Sequence, residues 1–305
     1  MKKKIKYIRQ AIQNINGIPV ENQKAKNEHD EIKLLLAKSL ISNQKISNSI
    51  HDVEFKIFSQ WGDDGIIQYL INNIEIQNKI FIEFGVENYT ESNTRFLLVN
   101  NNWKGLVIDG SEEHINYIKN DTIYWKYDLT AKTNFITAEN INQLFLNENI
   151  SGNIGLLSID IDGNDYWVWK NITVVDADIV IIEYNSIFGN ERAITIPYNA
   201  NFVRNTAHYS NLYYGVSITS LCDLADEKGY YFVGCNTAGN NAYFIKKHKI
   251  TNIKPLTIKE GFVDAKFRES RNEKGDLTFL SGTKKQELIK RLNVFNTRTN
   301  AIEIF

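Results

Sequence analysis

Two cysteines, Cys222 and Cys235, in 305 residues are too few for a disulfide framework, and their scarcity points to a reducing cytoplasm. No apolar run approaches the ~20 residues that a membrane-spanning helix needs. The basic start, Met1-Lys2-Lys3-Lys4-Ile5-Lys6, has the charge of a signal peptide but no apolar stretch behind it. An excess of positive charge is missing as well: 35 Lys and Arg face 36 Asp and Glu, for a net charge of -1. Recognition of nucleic acid through a broad basic field is therefore not expected. What is there is an ordinary globular composition, 43% hydrophobic and 23% charged, which excludes wholesale disorder. The expectation is a soluble cytoplasmic protein, two average domains long or one large α/β domain with additions.

Residues 1–50 read as a helical extension. Ile5, Ile8, Ile12 and Ile15 recur at helical spacing before Gly17 and Pro19 break the pattern. Ile32, Leu34, Leu35, Leu36, Leu40 and Ile41 mark a second helix. Such amphipathic helices suit packing on the core or on a second subunit, as in a homo-oligomer; a membrane-surface role is disfavoured by the thin apolar stripe. From 51 to 250, β-rich runs alternate with helical stretches, at residues 80–84, 105–109, 122–125, 154–160, 178–183, 230–233 and 242–245. The alternation predicts an α/β domain, a Rossmann-like, doubly wound and mainly parallel seven-stranded sheet. The Gly- and Asn-rich segment Asn236 to Asn241 suits a C-terminal hairpin that supplies one antiparallel edge strand. Residues 251–305 read as a tail packing on this core, with a helix over Lys284 to Leu292. Residues 186–215 lack periodicity and predict a mobile lid over a site.

Four of the strand runs end in acids or within a residue of them: Glu83, Asp109, Asp160 and Glu183. Ligands of open parallel sheets bind beyond the carboxyl ends of the strands, so acids on one shared edge imply a polar crevice there. Gly85 allows a tight turn out of the first strand, and Thr90 or Ser92 resembles the cap of a helix whose free N–H groups face an anionic ligand group. Asp109, one strand over, is placed to accept from a ribose diol; the plainer readings are a turn for Gly85 and a cap for Asp109. A dinucleotide fingerprint needs three glycines, and Glu87 and Tyr89 stand at the later positions. Glu87 would repel a pyrophosphate, which moves the balance from a nicotinamide cofactor to S-adenosylmethionine (SAM), a cation with an amino-acid tail.

The strings Phe58-Ser59-Gln60-Trp61-Gly62-Asp63-Asp64-Gly65-Ile66, Phe81-Ile82-Glu83-Phe84-Gly85-Val86-Glu87, Gly105-Leu106-Val107-Ile108-Asp109-Gly110-Ser111 and Leu157-Ser158-Ile159-Asp160-Ile161-Asp162-Gly163 resemble those of FkbM-type class I SAM-dependent methyltransferases. The similarity runs from about residue 57 to 292 and is closer still to bacterial relatives associated with surface-polysaccharide clusters. It implies that Glu83 and Gly85 line the cofactor's amino-acid end and that Asp109 holds the ribose hydroxyls. It places Ser111 beside the adenine, Asp128 near the exocyclic amine, and Asp160 against the methionine portion and the acceptor. Glu87 and Tyr89 depart from the glycines of the usual loop.

Asp160 and Asp162 fall on one side of an extended strand end, and Glu183 with Asn185 repeats the arrangement. These groups suit a Mg²⁺ or Mn²⁺ site, a metal-free general base with cofactor contacts, or a structural hydrogen-bond cluster. A calcium loop is excluded, because Asn171 stands where the closing Glu should. His208 is a candidate base or a surface residue. Tyr198, Tyr209, Tyr213 and Tyr214 could stack on a sugar ring or belong to the core, and Trp167 and Trp169 read as packing residues. The reading is O-methylation of a sugar or glycan-linked group in surface-polysaccharide biosynthesis, with a small-molecule or glycan acceptor. Its rivals are a non-catalytic cofactor-binding or assembly protein and, behind it, a nicotinamide oxidoreductase.

Overall fold

The computed structural model describes residues 28–44 and 47–305, in two compact units, residues 1–45 and 46–305. In the first unit, residues 28–43 form helix α1, on which Ile32, Leu35, Leu36 and Leu40 are exposed. The run Ile5 to Ile15 and the break at Gly17 and Pro19 lie outside the described residues.

In the second unit, β1 (Ile80–Phe84), β2 (Lys104–Asp109), β3 (Leu129–Thr133), β4 (Gly152–Ile159) and β5 (Val175–Glu183) run parallel. Helices α2 (Asp63–Asn73), α3 (Arg95–Asn101), α4 (Glu112–Asn120), α5 (Thr122–Lys126), α6 (Ile141–Asn147) and α7 (Asp165–Asn171) precede or connect them. Beyond β5 the chain forms β6 (Ile194–Thr195), α8 (Arg204–Ala207), α9 (Ile218–Glu227) and the hairpin β7 (Tyr230–Cys235) and β8 (Asn241–Lys246). The strand order is β3-β2-β1-β4-β5-β8-β7, a doubly wound α/β sheet of seven strands. The expected antiparallel edge strand needs correction: β8 pairs antiparallel with both β5 and β7, so it lies inside the sheet and β7 forms the edge. A second correction falls on residues 122–126, which form helix rather than strand. Asp121 caps that helix, its Oδ1 accepting from Ile123 N at 3.0 Å, and the third strand starts only at Leu129.

The C-terminal part belongs to the same unit. After α10 (Ile258–Gly261) and α11 (Thr283–Ile289), strands β9 (Asn293–Asn296) and β10 (Ala301–Ile304) join β6 in a three-stranded antiparallel sheet. Phe188, Ile194, Ile196, Leu212, Ile289 and Val294 bury one another there. Residues 186–215 are thus divided: β6 and Leu212 are scaffold, and the stretch around α8 is the more exposed part.

Both sheet faces are buried, so each strand splits its side chains between two cores. Ile82, Ile108, Leu157 and Val180 pack with α6, α7 and α9 residues such as Phe145, Trp169 and Leu221. Phe81, Val107, Leu156 and Ile181 pack with Leu70, Leu98 and Ile115 of α2, α3 and α4. Period-2 alternation puts Glu83, Asp109, Asp160 and Glu183 in the parity of this second face.

Two buried acids lock the frame around the crevice. Asp64 Oδ2 accepts from the backbone N–H groups of Ile57, Phe58 and Ser59 at 2.7, 2.7 and 2.8 Å, fixing the loop before α2. Its neighbour Asp63 accepts from Asn236 and Asn241 side chains at 3.0 and 2.9 Å and from the Tyr243 hydroxyl, tying α2 to the hairpin. Glu83 does the corresponding work on β1. Its Oε1 accepts from Asn93 N at 2.9 Å, and its Oε2 accepts from Thr94 N and Oγ1 at 3.0 and 2.5 Å. The orphan N–H groups before α3 are therefore satisfied by a strand carboxylate, with no side-chain cap from Thr90 or Ser92.

Gly85 is the tightest point. Its φ is +65°, and a Cβ there would stand 1.7 Å from the Asp160 carbonyl oxygen. Gly85→Ala should therefore cost roughly 3 kcal/mol or more, combining overpacking with a left-handed backbone; a urea melt within about 1 kcal/mol of wild type would contradict this contact.

Burial raises the Glu83 pKa from 4.5 to about 7 and the Asp64 pKa from 3.8 to about 6. The native state then holds protons that the unfolded chain releases, so these two groups contribute stability that falls as pH rises through about 4 to 7. Urea midpoints should decline between about pH 5 and pH 7, and Glu83→Gln should flatten that decline. An identical pH slope in the variant would show that Glu83 does not titrate in this window.

Candidate functional site

A cavity of about 940 Å³ opens beyond the carboxyl ends of β1, β2, β4 and β5. Gly85, Asp109, Asp160, Asp162 and Glu183 all line it, so the sheet brings five of the expected site residues together. The strand order reverses between β1 and β4, and the Gly85–Asp160 contact sits at that switch point.

On the β1–β3 side, the turn after Gly85 keeps a glycine-like path without further glycines. Glu87 and Tyr89 have φ of 47° and 64°, a conformation costing about 1 kcal/mol or more for each L-residue. The distortion is used: Glu87 N donates to Asp109 Oδ2 at 2.8 Å, and the buried Tyr89 hydroxyl lies 3.0 Å from Thr94 Oγ1. Asp109 Oδ1 accepts from Ser111 N at 2.8 Å and stands 3.3 Å from His114 Nδ1. Oδ2 takes one hydrogen bond and keeps a second lone pair, so Asp109 is held in place and can still accept from a hydroxyl.

Three residues expected around the cofactor do not line the cavity. Glu83 spends its carboxylate on the entry to α3. Ser111 is the N-cap of α4, accepting from His114 N at 3.3 Å. Asp128 is exposed at the amino end of β3, on the opposite edge of the sheet, because that strand begins at Leu129. The carboxyl end of β3 delivers Asn134, Phe135 and Ile136 to the wall instead. Asn134 N donates to the Asp109 carbonyl at 2.9 Å, and Phe135 lies against Gly110.

On the β4–β5 side, Asp160, Asp162 and Glu183 each bring one oxygen to within 4.8 Å of the others. The loop is shaped by Asp165, a buried residue whose two oxygens accept from Ile161 N and Gly163 N at 2.9 Å each. Burial pushes the Asp160 carboxyl well above the carboxylate range, with Asp162 and Asp165 adding to it. Burial does the same to Glu183, followed by Asp160 and Asp162. Asn185 lies outside the group: its amide donates to the Leu212 and Tyr214 carbonyls at 3.0 Å each.

The charge is offset in part by a residue the sequence pattern did not reveal. Arg204 of α8 pairs with Asp162, lies 3.6 Å from Glu269, and stacks 3.8 Å above the Tyr214 ring. Seven carboxylates line the cavity, adding Glu87, Glu91 and Glu269 to Asp109, Asp160, Asp162 and Glu183, and Arg204 is the one cation among the lining residues. The need to balance acids was the available signal, but nothing in residues 186–215 marks which cation would do so.

His208 does not reach the cavity. Its Nδ1 lies 2.7 Å from Ser210 Oγ, and burial lowers its pKa. Tyr198, Tyr209, Tyr213 and Tyr214 are not lining residues either; the aromatic wall is Trp61, Phe135, Phe202 and Phe267. Trp167 donates to the Ile196 carbonyl at 2.9 Å and Trp169 is buried, both in packing roles.

No known family description matches the chain, and no curated protein does. Among solved structures, the chain is similar to the N-terminal domain of EvdMO1 with S-adenosylhomocysteine (SAH) bound, at 10% identity over 66% of this chain and 80% of that one, with a TM-score of 0.40. It is similar to a SAM-dependent methyltransferase from Clostridium acetobutylicum ATCC 824, at 10% identity, 73% and 99% coverage and a TM-score of 0.37. An O-methyltransferase from Bacillus cereus in complex with SAH aligns at 13% identity, 72% and 91% coverage and a TM-score of 0.39.

Proposed function

We propose that the protein is a SAM-dependent methyltransferase acting on a hydroxyl of a sugar or glycan-linked group. The observation that carries this reading is a single cavity spanning the switch point, with Asp109 fixed at one end and the Asp160–Asp162–Glu183 carboxylates at the other. The wall fits the cofactor chemically, because acids that would repel a pyrophosphate attract SAM, whose sulfonium and ammonium together outweigh its one carboxylate. FkbM-type relatives and the setting of surface-polysaccharide synthesis enter through the sequence resemblance.

When bound, SAM supplies an electrophilic methyl group on a good leaving sulfur. The chain's own part is to align and to take up a proton. Asp109 holds the ribose, and the Gly85 turn lets the amino-acid end approach the backbone. Asp160, beside that turn, accepts the proton of the acceptor hydroxyl, while Trp61, Phe202 and Phe267 cover the acceptor's apolar faces. Arg204 keeps Asp162 paired and so limits the repulsion around Asp160. Mg²⁺ or Mn²⁺ on Asp160, Asp162 and Glu183 is the second reading, supported by the convergence of their oxygens; it would require Arg204 to release Asp162.

SAH and SAM should bind, and NAD should not. Asp109→Ala should weaken SAH binding by roughly 1–3 kcal/mol in calorimetry, the loss of charge-assisted hydrogen bonds; unchanged affinity would remove Asp109 from the ribose. Asp160→Asn should lower turnover by at least about 100-fold, the scale of a lost general base, with little change in urea stability. Turnover should survive a chelator. Loss that Mg²⁺ or Mn²⁺ restores would reassign the three carboxylates to a metal.

A further inference from the structure

The acceptor half of the cavity has a one-sided hydrogen-bonding demand. Two buried side-chain atoms of lining residues have no hydrogen-bond partner, Glu183 Oε2 and Asn164 Oδ1, and the residues are only 6% and 4% exposed. Both atoms are acceptors when Glu183 is ionised, the form that a bound cation favours. The Asn164 orientation is fixed by its own Nδ2, which donates to the Asn199 carbonyl at 2.8 Å. The strongest donor on this wall, the Arg204 guanidinium, is already engaged by Asp162, Glu269 and the Asn211 carbonyl at 3.1 Å. Buried acceptors left without donors are costly, so a ligand that displaces water from this wall is favoured when it brings N–H or O–H groups.

Geometry narrows the donor. Three carboxylate oxygens lie within 4.8 Å of one another. A tetrahedral ammonium with N–H···O contacts of about 2.8 Å holds its acceptors about 4.6 Å apart. An acid-rich wall whose one cation is already paired also repels phosphate and any ligand of net negative charge.

We propose that the acceptor is an amine-bearing sugar or polyol, its ammonium seated among Asp160, Asp162 and Glu183 next to the hydroxyl that is methylated, and that phosphorylated acceptors and others of net negative charge are excluded. This deepens the methyltransferase reading and rests on it for the word acceptor, while the binding preference stands on the wall alone. The aromatic faces of Trp61, Phe202 and Phe267 suit the C–H face of such a ring and the neighbouring positive charge.

The test is calorimetric titration with glucosamine, glucose and glucose 6-phosphate, run on the free protein and on the SAH-loaded protein. Glucosamine should bind at least tenfold more tightly than glucose, and glucose 6-phosphate more weakly than either. Glu183→Gln should abolish the glucosamine preference while changing SAH affinity less than threefold. Equal binding of glucosamine and glucose, no binding of any of the three, or tightest binding of glucose 6-phosphate would overturn the proposal. A second titration separates the acceptor's ammonium from the cofactor's. If Glu183→Gln weakens SAH by tenfold or more but leaves 5′-methylthioadenosine, which lacks the amino-acid tail, unchanged, the carboxylates serve the cofactor and the proposal fails. Failure of SAH to bind at all would count against the methyltransferase reading, and the sugar series on the free protein would still decide this one.

Discussion

The backbone contact between Gly85 and the Asp160 carbonyl is the constraint on which the site depends. It joins the ends of the two central strands where the strand order reverses, and no side chain fits between them. With that contact made, the turn after β1 must leave through left-handed residues, which turns the Glu87 N–H onto Asp109. On the other side it sets Asp160 at the head of the loop that carries Asp162 and Asp165. One close approach therefore places both Asp109 and the acidic trio on a single cavity.

The acids divide by the work they do. Glu83, Asp63, Asp64 and Asp165 accept from backbone or side-chain donors of neighbouring segments and hold the walls in register. Asp109 combines that work with exposure to the cavity. Asp160 and Glu183 face the cavity with little compensation, which is expensive for a structural role and typical of groups kept for chemistry. Arg204 offsets part of the repulsion, stacked on Tyr214 and held by acids on two segments.

Much of this was legible in the sequence because the signals were local. Continuous apolar runs ending in acids marked β1, β2, β4 and β5, and the period of two put their acids in one parity. The third strand was missed because Thr122-Ile123-Tyr124-Trp125 has strand-like composition, yet Asp121 caps it as helix. That displacement is why Asp128 lies on the far edge and Asn134 on the near one. Glu83 was expected at a ligand and instead caps α3, a choice between two partners that spacing does not contain. Arg204, Phe202 and Phe267 come from segments distant in sequence from the acidic strand ends, and β6 is two residues long, too short for any period to show.

The most direct measurement is a crystal structure of the protein with SAH. The account predicts the ribose hydroxyls on Asp109, the adenine on the side of Asn134 and Phe135, and the sulfur directed toward Asp160. SAH bound outside this cavity, or bound with its ribose away from Asp109, would contradict it.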